Sequence, residues 1–398
     1  MSDSDLKLRN QQLSDRERES QPDVCEALPV HLTVGNTHKC NLDCPMCFKE
    51  FEAGHNMSYP TMPLSMFQSI ADQAFPTASR VTLTVSGDPL VSETIVEELE
   101  IGGANGVEFE ITTNGVMLRH GPMTDLLLAH CGTLTLSFDS ATKETYEKIR
   151  KGSNFEKVLE AVKRFTTAKA EAGRGPLMAA MAVLQRSNVR ELPDWVRLMH
   201  SIGIEACGVD HIIVPEWSDT ESCVHEKALT NRMMAEAQIV ADELGMKLRM
   251  PLPFELPEAD LSQADSPEAI AVEPGADPET AAATPEANDL APEPAVEADS
   301  VAAETPAAEE LPKMFVRCPY VWSESWIGFD GSVSPCCNAQ YLEKMGNVTD
   351  QGFAEIWNGK PYRDLRQSLV DGTPPDVCRN CHLAIREVET GETYVKAR

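Results

Sequence analysis

The chain has 398 residues, enough for one large domain plus a smaller one, and a formal charge of −29. Sixteen of its acidic residues fall in Pro251–Pro312, which has no Lys or Arg. The rest carries −13, so a basic nucleic-acid-binding surface is excluded as its main device. No apolar run approaches the roughly 18 residues of a membrane span and Met1–Ser20 has no apolar export signal, so twelve cysteines imply a reducing, cytoplasmic setting with thiols reserved for metals.

Residues 1–27 are hydrophilic and are expected to form a disordered tail or a loose helix, with Cys25 incidental. Val30–Val34 alternates apolar and polar residues and reads as a strand. It runs into Cys40-Asn41-Leu42-Asp43-Cys44-Pro45-Met46-Cys47-Phe48, three thiols spaced C-x3-C-x2-C. Three thiolates from one short loop can hold an iron–sulfur cube and leave its fourth iron open to a substrate or cofactor. The alternative is structural zinc, with His38, His55 or Cys25 as fourth ligand, although the x3 gap is unusual for zinc.

Helices and strands alternate beyond the loop. Leu64–Phe75 sets Leu64, Phe67, Ile70, Ala71 and Ala74 on one helical face, between Pro63 and Pro76. Further strands are expected at Arg80–Ser86, Val107–Thr113, Thr133–Phe138, Leu177–Leu184 and Ala206–Val214. Helices are expected at Glu93–Ala104, Gly121–His130, Ala141–Ala172 (broken near Gly152), Val189–Ile202 and Glu226–Leu244. Such alternation implies an α/β fold with a parallel sheet and helices outside it. Strands buried on both faces are near-continuously apolar, so Thr82, Thr84, Thr112, Thr135 and Ser137 imply that one face lines a cavity. Active sites of such sheets lie at the carboxyl ends of the strands, where the cysteine loop is. Asp210, His211 and Glu216 sit at or after the sixth strand and could face the cavity; none is named as a general base. Cys131, Cys207 and Cys223 read as buried, apolar-like thiols.

Residues 251–312 are rich in Ala, Pro and Glu, with eleven prolines, and are expected to be a disordered acidic linker. Residues 313–398 form a small Cys-rich domain. Cys318 and Cys336 fit C-x12-G-x4-C with Gly331 as the glycine, Cys337 is adjacent, and Cys378-Arg379-Asn380-Cys381 closes the set. Phe329–Val333 reads as a hairpin with Asp-Gly at its tip, and Val348–Leu369 contains a helix. Four metal-bound thiols are the kind of staple so small a domain needs, and by ligand type alone a zinc ribbon is also open.

The C-x3-C-x2-C loop followed by Phe48 resembles the signature of the radical SAM enzymes, and residues 28–250 resemble their partial (β/α)6 TIM-like barrel. The resemblance implies that Cys40, Cys44 and Cys47 ligate a 4Fe-4S cluster whose open iron chelates S-adenosylmethionine. One electron then cleaves the cofactor to a 5′-deoxyadenosyl radical, which abstracts a hydrogen atom from the substrate. Ser86-Gly87-Asp88-Pro89 resembles the family's Gly-Gly-Glu-Pro motif, with Ser for the first Gly and Asp for Glu, and implies contacts to the cofactor's amino group. By the same resemblance Asn114, Ser137 and Asp139 are candidates for the ribose and nearby polar contacts. Arg150 is the candidate partner of the cofactor carboxylate, and Phe48 packs near the adenine.

Residues 313–398 resemble the SPASM and twitch auxiliary-cluster extensions of that family, on the C-x12-G-x4-C segment, Pro335-Cys336-Cys337, Gly346-Asn347-Val348 and the last C-x2-C. No C-x5-C-x3-C follows Cys381, which implies one auxiliary 4Fe-4S cluster on Cys318, Cys336, Cys378 and Cys381, with Cys337 able to replace Cys336. Relatives so extended oxidise small alcohols and aminocyclitols, mature sulfatases or cross-link peptides. The 27 residues before the first strand leave no room for a leader-recognition domain. Together with the single auxiliary cluster, this favours a small polar metabolite as substrate, with a peptide as the alternative. A zinc-stabilised scaffold without redox chemistry is the rival from another class. A flavodoxin or ferredoxin is the implied electron donor.

Overall fold

The computed structural model describes residues 3–47, 60–83, 86–118, 121–212, 220–256, 314–318, 320–338, 344–381, 385–388 and 393–394. Phe48, Thr84, Glu216 and the linker from residue 257 to 312 lie outside the described residues, as does His55. Seven strands run in parallel: β1 (His31–Val34), β2 (Arg80–Leu83), β3 (Glu108–Thr113), β4 (Cys131–Ser137), β5 (Leu177–Leu184), β6 (Ala206–His211) and β7 (Lys247–Arg249). Between them lie helices α2 (Leu64–Ala74), α3 (Ile95–Ala104), α4 (Pro122–His130), α5 (Lys143–Ile149), α6 (Phe155–Ala172), α7 (Leu192–Ser201) and α8 (Lys227–Glu243); α1 (Asp3–Ser20) precedes them all. The TIM-like α/β expectation therefore holds, with β7 added beyond the six strands expected.

Strand alternation divides the sheet into two faces. Leu32, Val34, Val81, Leu83, Phe109, Ile111, Leu134, Leu136, Met178 and Ala180 are buried on the outer face, under the helices. Phe67, Ile70, Ala71 and Ala74 of α2 and Val158, Ala161, Val162 and Phe165 of α6 supply the apolar stripes that cover them. Helix α6 is placed by local chemistry as well. Asn154 caps α6 by accepting from the Lys157 amide at 3.0 Å, and Gly173 ends it in the left-handed region. The interior face carries His31, Thr82, Glu110, Thr135 and Ser137, all half-buried.

The C-terminal segment extends the same sheet. β9 (Glu324–Ile327) pairs in parallel with β1, from His31–Glu324 to Val34–Ile327, and β10 (Ser332–Ser334) and β11 (Gly346–Asn347) follow antiparallel. The described residues on the two sides of the linker thus form one compact unit with a ten-stranded sheet. Helices α9 (Phe353–Trp357), α10 (Lys360–Val370) and α11 (Asp376–Arg379) pack beside it, and β8 (Met314–Arg317), β12 (Ile385–Val388) and β13 (Thr393–Tyr394) form a second small sheet.

The N-terminal segment, expected as a disordered tail or loose helix, is the 18-residue helix α1 followed by a strap seated on the domain. Its buried contacts are polar. The Asn10 amide donates to the Leu28 carbonyl and accepts from the Leu28 amide, at 2.8 and 3.0 Å. The Glu17 carboxylate accepts from the amides of Glu26 and Ala27 at 2.6 and 3.2 Å. Cys25, taken as incidental, is buried, and its amide and carbonyl are held by the Asn358 side chain, each at 2.9 Å. Trp322 and Trp357 donate to the Pro22 and Ala27 carbonyls. Arg366, fully buried, lies 4.3 Å from the Trp357 ring and donates to Val321 and Asp23 carbonyls. Glu17→Ala strips two amides of their acceptor, and urea denaturation is expected to show a loss of about 1–3 kcal/mol. No helix among the described residues is long and apolar enough to cross a membrane.

Candidate functional site

The cysteine loop is fixed from three strand ends. After β1 the buried Asn36 donates to Glu98 at 2.7 Å, and the His38 amide reaches the Pro60 carbonyl at 2.9 Å. Beyond β2, the Asp88 amide donates to the Lys39 carbonyl at 2.9 Å. Beyond β3, the Asn114 side chain donates to Asn41 Oδ1 at 2.8 Å, with Cys40 Sγ 3.7 Å away. The Asp43 amide donates to the Lys151 carbonyl at 2.9 Å, and the Cys47 amide to the Cys44 carbonyl at 2.9 Å. These ties bring Cys40, Cys44 and Cys47 to one cavity of about 100 Å³ at the carboxyl ends of the strands. Gly87, Asp88, Thr112, Thr113, Asn114, Ser137 and Arg150 complete its wall with Leu42.

Gly87 shows why the turn after β2 needs glycine. Its φ is +90°, and a Cβ there would stand 2.5 Å from the Lys39 carbonyl oxygen and 2.8 Å from the His38 carbonyl carbon. Both contacts are backbone and cannot step aside. Gly87→Ala is expected to push the loop outward and to lower iron retained by the first site after reconstitution, measured beside a Gly173→Ala control whose Cβ meets nothing within 4 Å.

Asp88 lines the cavity, but its carboxylate is already engaged. It accepts from the amides of Leu90 and Asn114 at 3.0 and 2.8 Å and from the Thr113 hydroxyl at 2.9 Å. Burial raises its pKa, and these donors pull the other way. Asp88 therefore ties the β2 and β3 ends together as well as lining the cavity. Ser86 is half-buried and is not part of the cavity wall. Asn114 and Ser137 are part of it.

Asp139 stands behind the cavity rather than in it. Its carboxylate pairs with Arg150 Nε and accepts from the Val183 amide at 2.8 Å, while Asn188 donates to its carbonyl at 2.7 Å. Its carboxylate is fully buried, and the Arg150 side chain is 13% exposed, into the cavity. Burial alone would lower the Arg150 pKa; the charges of Asp139 and Cys44 reverse this and raise it, so the guanidinium is permanently cationic. Glu191 holds the approach to α5 by accepting from the Ala141 and Thr142 amides, each at 2.9 Å, and from the hydroxyls of Ser140, Thr142 and Thr145. Nothing in the local sequence marks that role.

The donor set fits an iron–sulfur core. Burial pushes the Cys44 thiol up to about 11; Arg150 opposes this, while the negative charges of Cys40 and Cys47 add to it. Three thiolates can share this spot only around a positive centre. A cubane would take the three thiolates on three separate irons.

A second cysteine set lies around the C-terminal strands. Cys318 follows β8, Cys336 follows β10, Cys378 lies in α11, and Cys381 comes just after it. Burial raises the thiols of Cys318, Cys336 and Cys378, and the charges of the others add to the rise, which places these four side chains together. Asn338 Nδ2 lies 3.4 Å from Cys381 Sγ. Cys337 is exposed at the rim and close enough to Cys336 and Cys381 to feel their charge.

Other sequence candidates fall elsewhere. Asp210 is on the interior face, clamped to Arg249 by two bonds of 2.8 Å. His211, next to it, turns to the outer face with Leu184 and Val209, against Phe254 at 4.5 Å between ring centres; burial lowers its pKa. It does not face the cavity as expected, because neighbours in a strand point to opposite sides. Cys131 and Cys207 are buried on the outer side, with burial raising each to about 12.

Comparison with known proteins agrees with this arrangement. Residues 37–214 match the Radical SAM superfamily, and residues 318–382 match SPASM, an iron–sulfur cluster-binding domain. A GTP 3′,8-cyclase of Peptoclostridium acidaminophilum is 26% identical over 170 residues, 42% of this chain and 51% of the relative, so the chain spans about half the length of that relative. The PqqA peptide cyclase of Gluconobacter oxydans is 22% identical over 367 residues, 90% of this chain and 84% of the relative. Streptococcus suis SuiB bound to S-adenosylmethionine superposes with a TM-score of 0.56 at 14% identity, over 89% of this chain and 71% of that one, a likeness of fold. With both cysteine sets inside the matched segments, the chain belongs to the radical SAM superfamily and carries a SPASM domain; its cofactors are a 4Fe-4S cluster used with S-adenosylmethionine and auxiliary iron–sulfur.

Proposed function

We propose that this protein is a peptide-modifying radical enzyme. The reading is carried by the PqqA peptide cyclase, which aligns through both the barrel and the SPASM segment, whereas the GTP 3′,8-cyclase aligns over 42% of the chain. The small polar metabolite favoured by the sequence gives way to a peptide on that ground.

Cys40, Cys44 and Cys47 hold the first cluster; Cys318, Cys336, Cys378 and Cys381 hold an auxiliary one. Bound in the first site, the cluster and S-adenosylmethionine supply a hydrogen-abstracting 5′-deoxyadenosyl radical. Arg150, kept cationic and aimed by Asp139, receives the cofactor's carboxylate. Asn114 fixes the cysteine loop against β3, and Ser137 offers a hydroxyl on the wall. The Asp88 bonds keep the strand ends from spreading when the cavity fills.

The test measures 5′-deoxyadenosine formed by the anaerobically reconstituted, dithionite-reduced protein. The probes are a synthetic peptide library with each side-chain class in a glycine–serine frame, GTP, and an aminocyclitol. Peptides that raise turnover above the uncoupled background and lose a pair of hydrogens by mass support the reading. Stimulation by GTP or the aminocyclitol, with every peptide silent, overturns it.

A further inference from the structure

On the interior face, a row of charged groups crosses four strands beneath the cofactor cavity. His31 of β1 is at its centre. Its Nε2 lies 2.8 Å from the Thr82 hydroxyl of β2 and 3.6 Å from Glu110 Oε2 of β3. Its Nδ1 lies 3.5 Å from Glu324 Oε2 of β9. Thr82 also donates to Glu110 at 3.2 Å, and Arg80 pairs with the other oxygen of Glu110 at 3.0 Å. The His31 side chain is 13% exposed, so the row is shielded but within reach of solvent. Arg80, Glu110 and Glu324 are the charged groups that meet the ring or its partners from β2, β3 and β9.

The ends of the row give it a direction. Glu110 is two residues before Thr112, which lines the cavity with the three cysteines. Two residues of strand span about 6.6 Å, so Glu110 lies one pleat below the cavity wall. Glu324 lies at the other end, close enough to Cys318 and Cys337 for its charge to act on their thiols. The row therefore runs from the radical site to the auxiliary cysteines, and the strand pairing that joins the two segments, β1 with β9, places His31 opposite Glu324.

We propose that His31, flanked by Glu110 and Glu324, is a proton-accepting site coupled to electron arrival at the auxiliary cysteines. The proposal rests on the ligand reading given under Proposed function. The substrate first loses one hydrogen atom to the 5′-deoxyadenosyl radical. An oxidised 4Fe-4S cluster held by the auxiliary cysteines would take the electron that the substrate radical gives up, and a ring nitrogen of His31 would take the proton. One C–H bond has broken homolytically, and a second hydrogen has left as separate proton and electron. The ring that holds the proton lies between two carboxylates, 3.6 Å from Glu110 and 3.5 Å from Glu324. Arg80 offsets the charge of Glu110, leaving Glu324 as the stronger counter-charge. His31 is here a positioning and proton-holding residue of the sheet, with no contact to the cofactor required.

The experiment needs no substrate. The full-length, reconstituted protein is titrated electrochemically from about pH 5 to about pH 9, bracketing the usual histidine range, with the auxiliary cluster read by electron paramagnetic resonance. In the wild type its potential is expected to fall with rising pH, by up to about 59 mV for each tenfold change in proton activity, and to level off above the histidine range. His31→Gln, which keeps a hydrogen-bonding side chain, is expected to lose the slope with iron content unchanged. Glu324→Gln, which removes the carboxylate standing between His31 and the auxiliary thiols, is expected to lower the slope with iron content unchanged, and serves if His31→Gln does not fold. A flat wild-type profile, or a slope unchanged in both variants, overturns the proposal and leaves the function reading standing. Absence of any auxiliary signal beside an intact first cluster overturns both.

Discussion

Replacing Cys40, Cys44 and Cys47 together by alanine is expected to abolish reductive cleavage of S-adenosylmethionine and to halve the bound iron, from about eight per chain to about four. The three side chains share one cavity with Arg150 and Asn114, and the auxiliary cysteines lie after β8 and β10 and in and just after α11, so loss at the first site leaves the second intact. Iron, acid-labile sulfide and 5′-deoxyadenosine are measured on the same anaerobic preparation. Cys131→Ala is the control: its thiol is pushed up to about 12 by burial on the outer side of the sheet, and its removal is expected to change neither iron nor cleavage. Iron falling to nothing in the triple variant would mean that the C-terminal cysteines hold no cluster. Iron unchanged would mean that the loop is not its ligand set.

The cysteine loop was legible because its chemistry is local: three thiols within eight residues state their own purpose whatever surrounds them. The barrel strands were legible because alternation survives without tertiary information, and Thr112 and Ser137 lie on the cavity wall as that alternation implied. Helix α1 was not. Asn10, Ser14 and Glu17 recur at helical spacing, but hydrophobicity is the signal by which a buried face is normally found, and here the buried groups are hydrogen-bonding ones. Nor was the partnership of β1 with β9. It joins residues nearly three hundred positions apart, and neither four-residue strand carries a mark of its register. β7 escaped notice because three residues, two of them basic, have no readable period. Asp88 and Asp139 show the limit most sharply. A motif can say that a carboxylate stands at a strand end; only the folded chain says that its oxygens are already taken by Thr113, Asn114, Val183 and Arg150. Such residues act on the site by holding others in place.

Arg150→Leu is expected to destabilise the protein by about 3–5 kcal/mol, because it leaves the Asp139 carboxylate buried without its counter-charge. Urea denaturation would show this as a lower midpoint with an unchanged slope. Asp139→Asn alone is expected to cost a comparable amount, since the guanidinium is then the unpaired charge. The double variant Arg150→Leu with Asp139→Asn removes both charges. It is expected to recover most of the loss, an interaction energy of the sign and size found for groups in direct contact. Cofactor binding should not follow the same pattern. If Arg150 receives the carboxylate of S-adenosylmethionine, equilibrium dialysis against the reconstituted protein will show weak binding in Arg150→Leu and equally weak binding in the double variant, whatever its stability. If binding returns together with stability, the Arg150–Asp139 pair only builds the wall, and the carboxylate finds its partner elsewhere in the cavity. The two readouts separate a residue that touches the cofactor from one that shapes the space for it. The buried pair needs both, because the same charge that aims at the ligand is costly to leave alone.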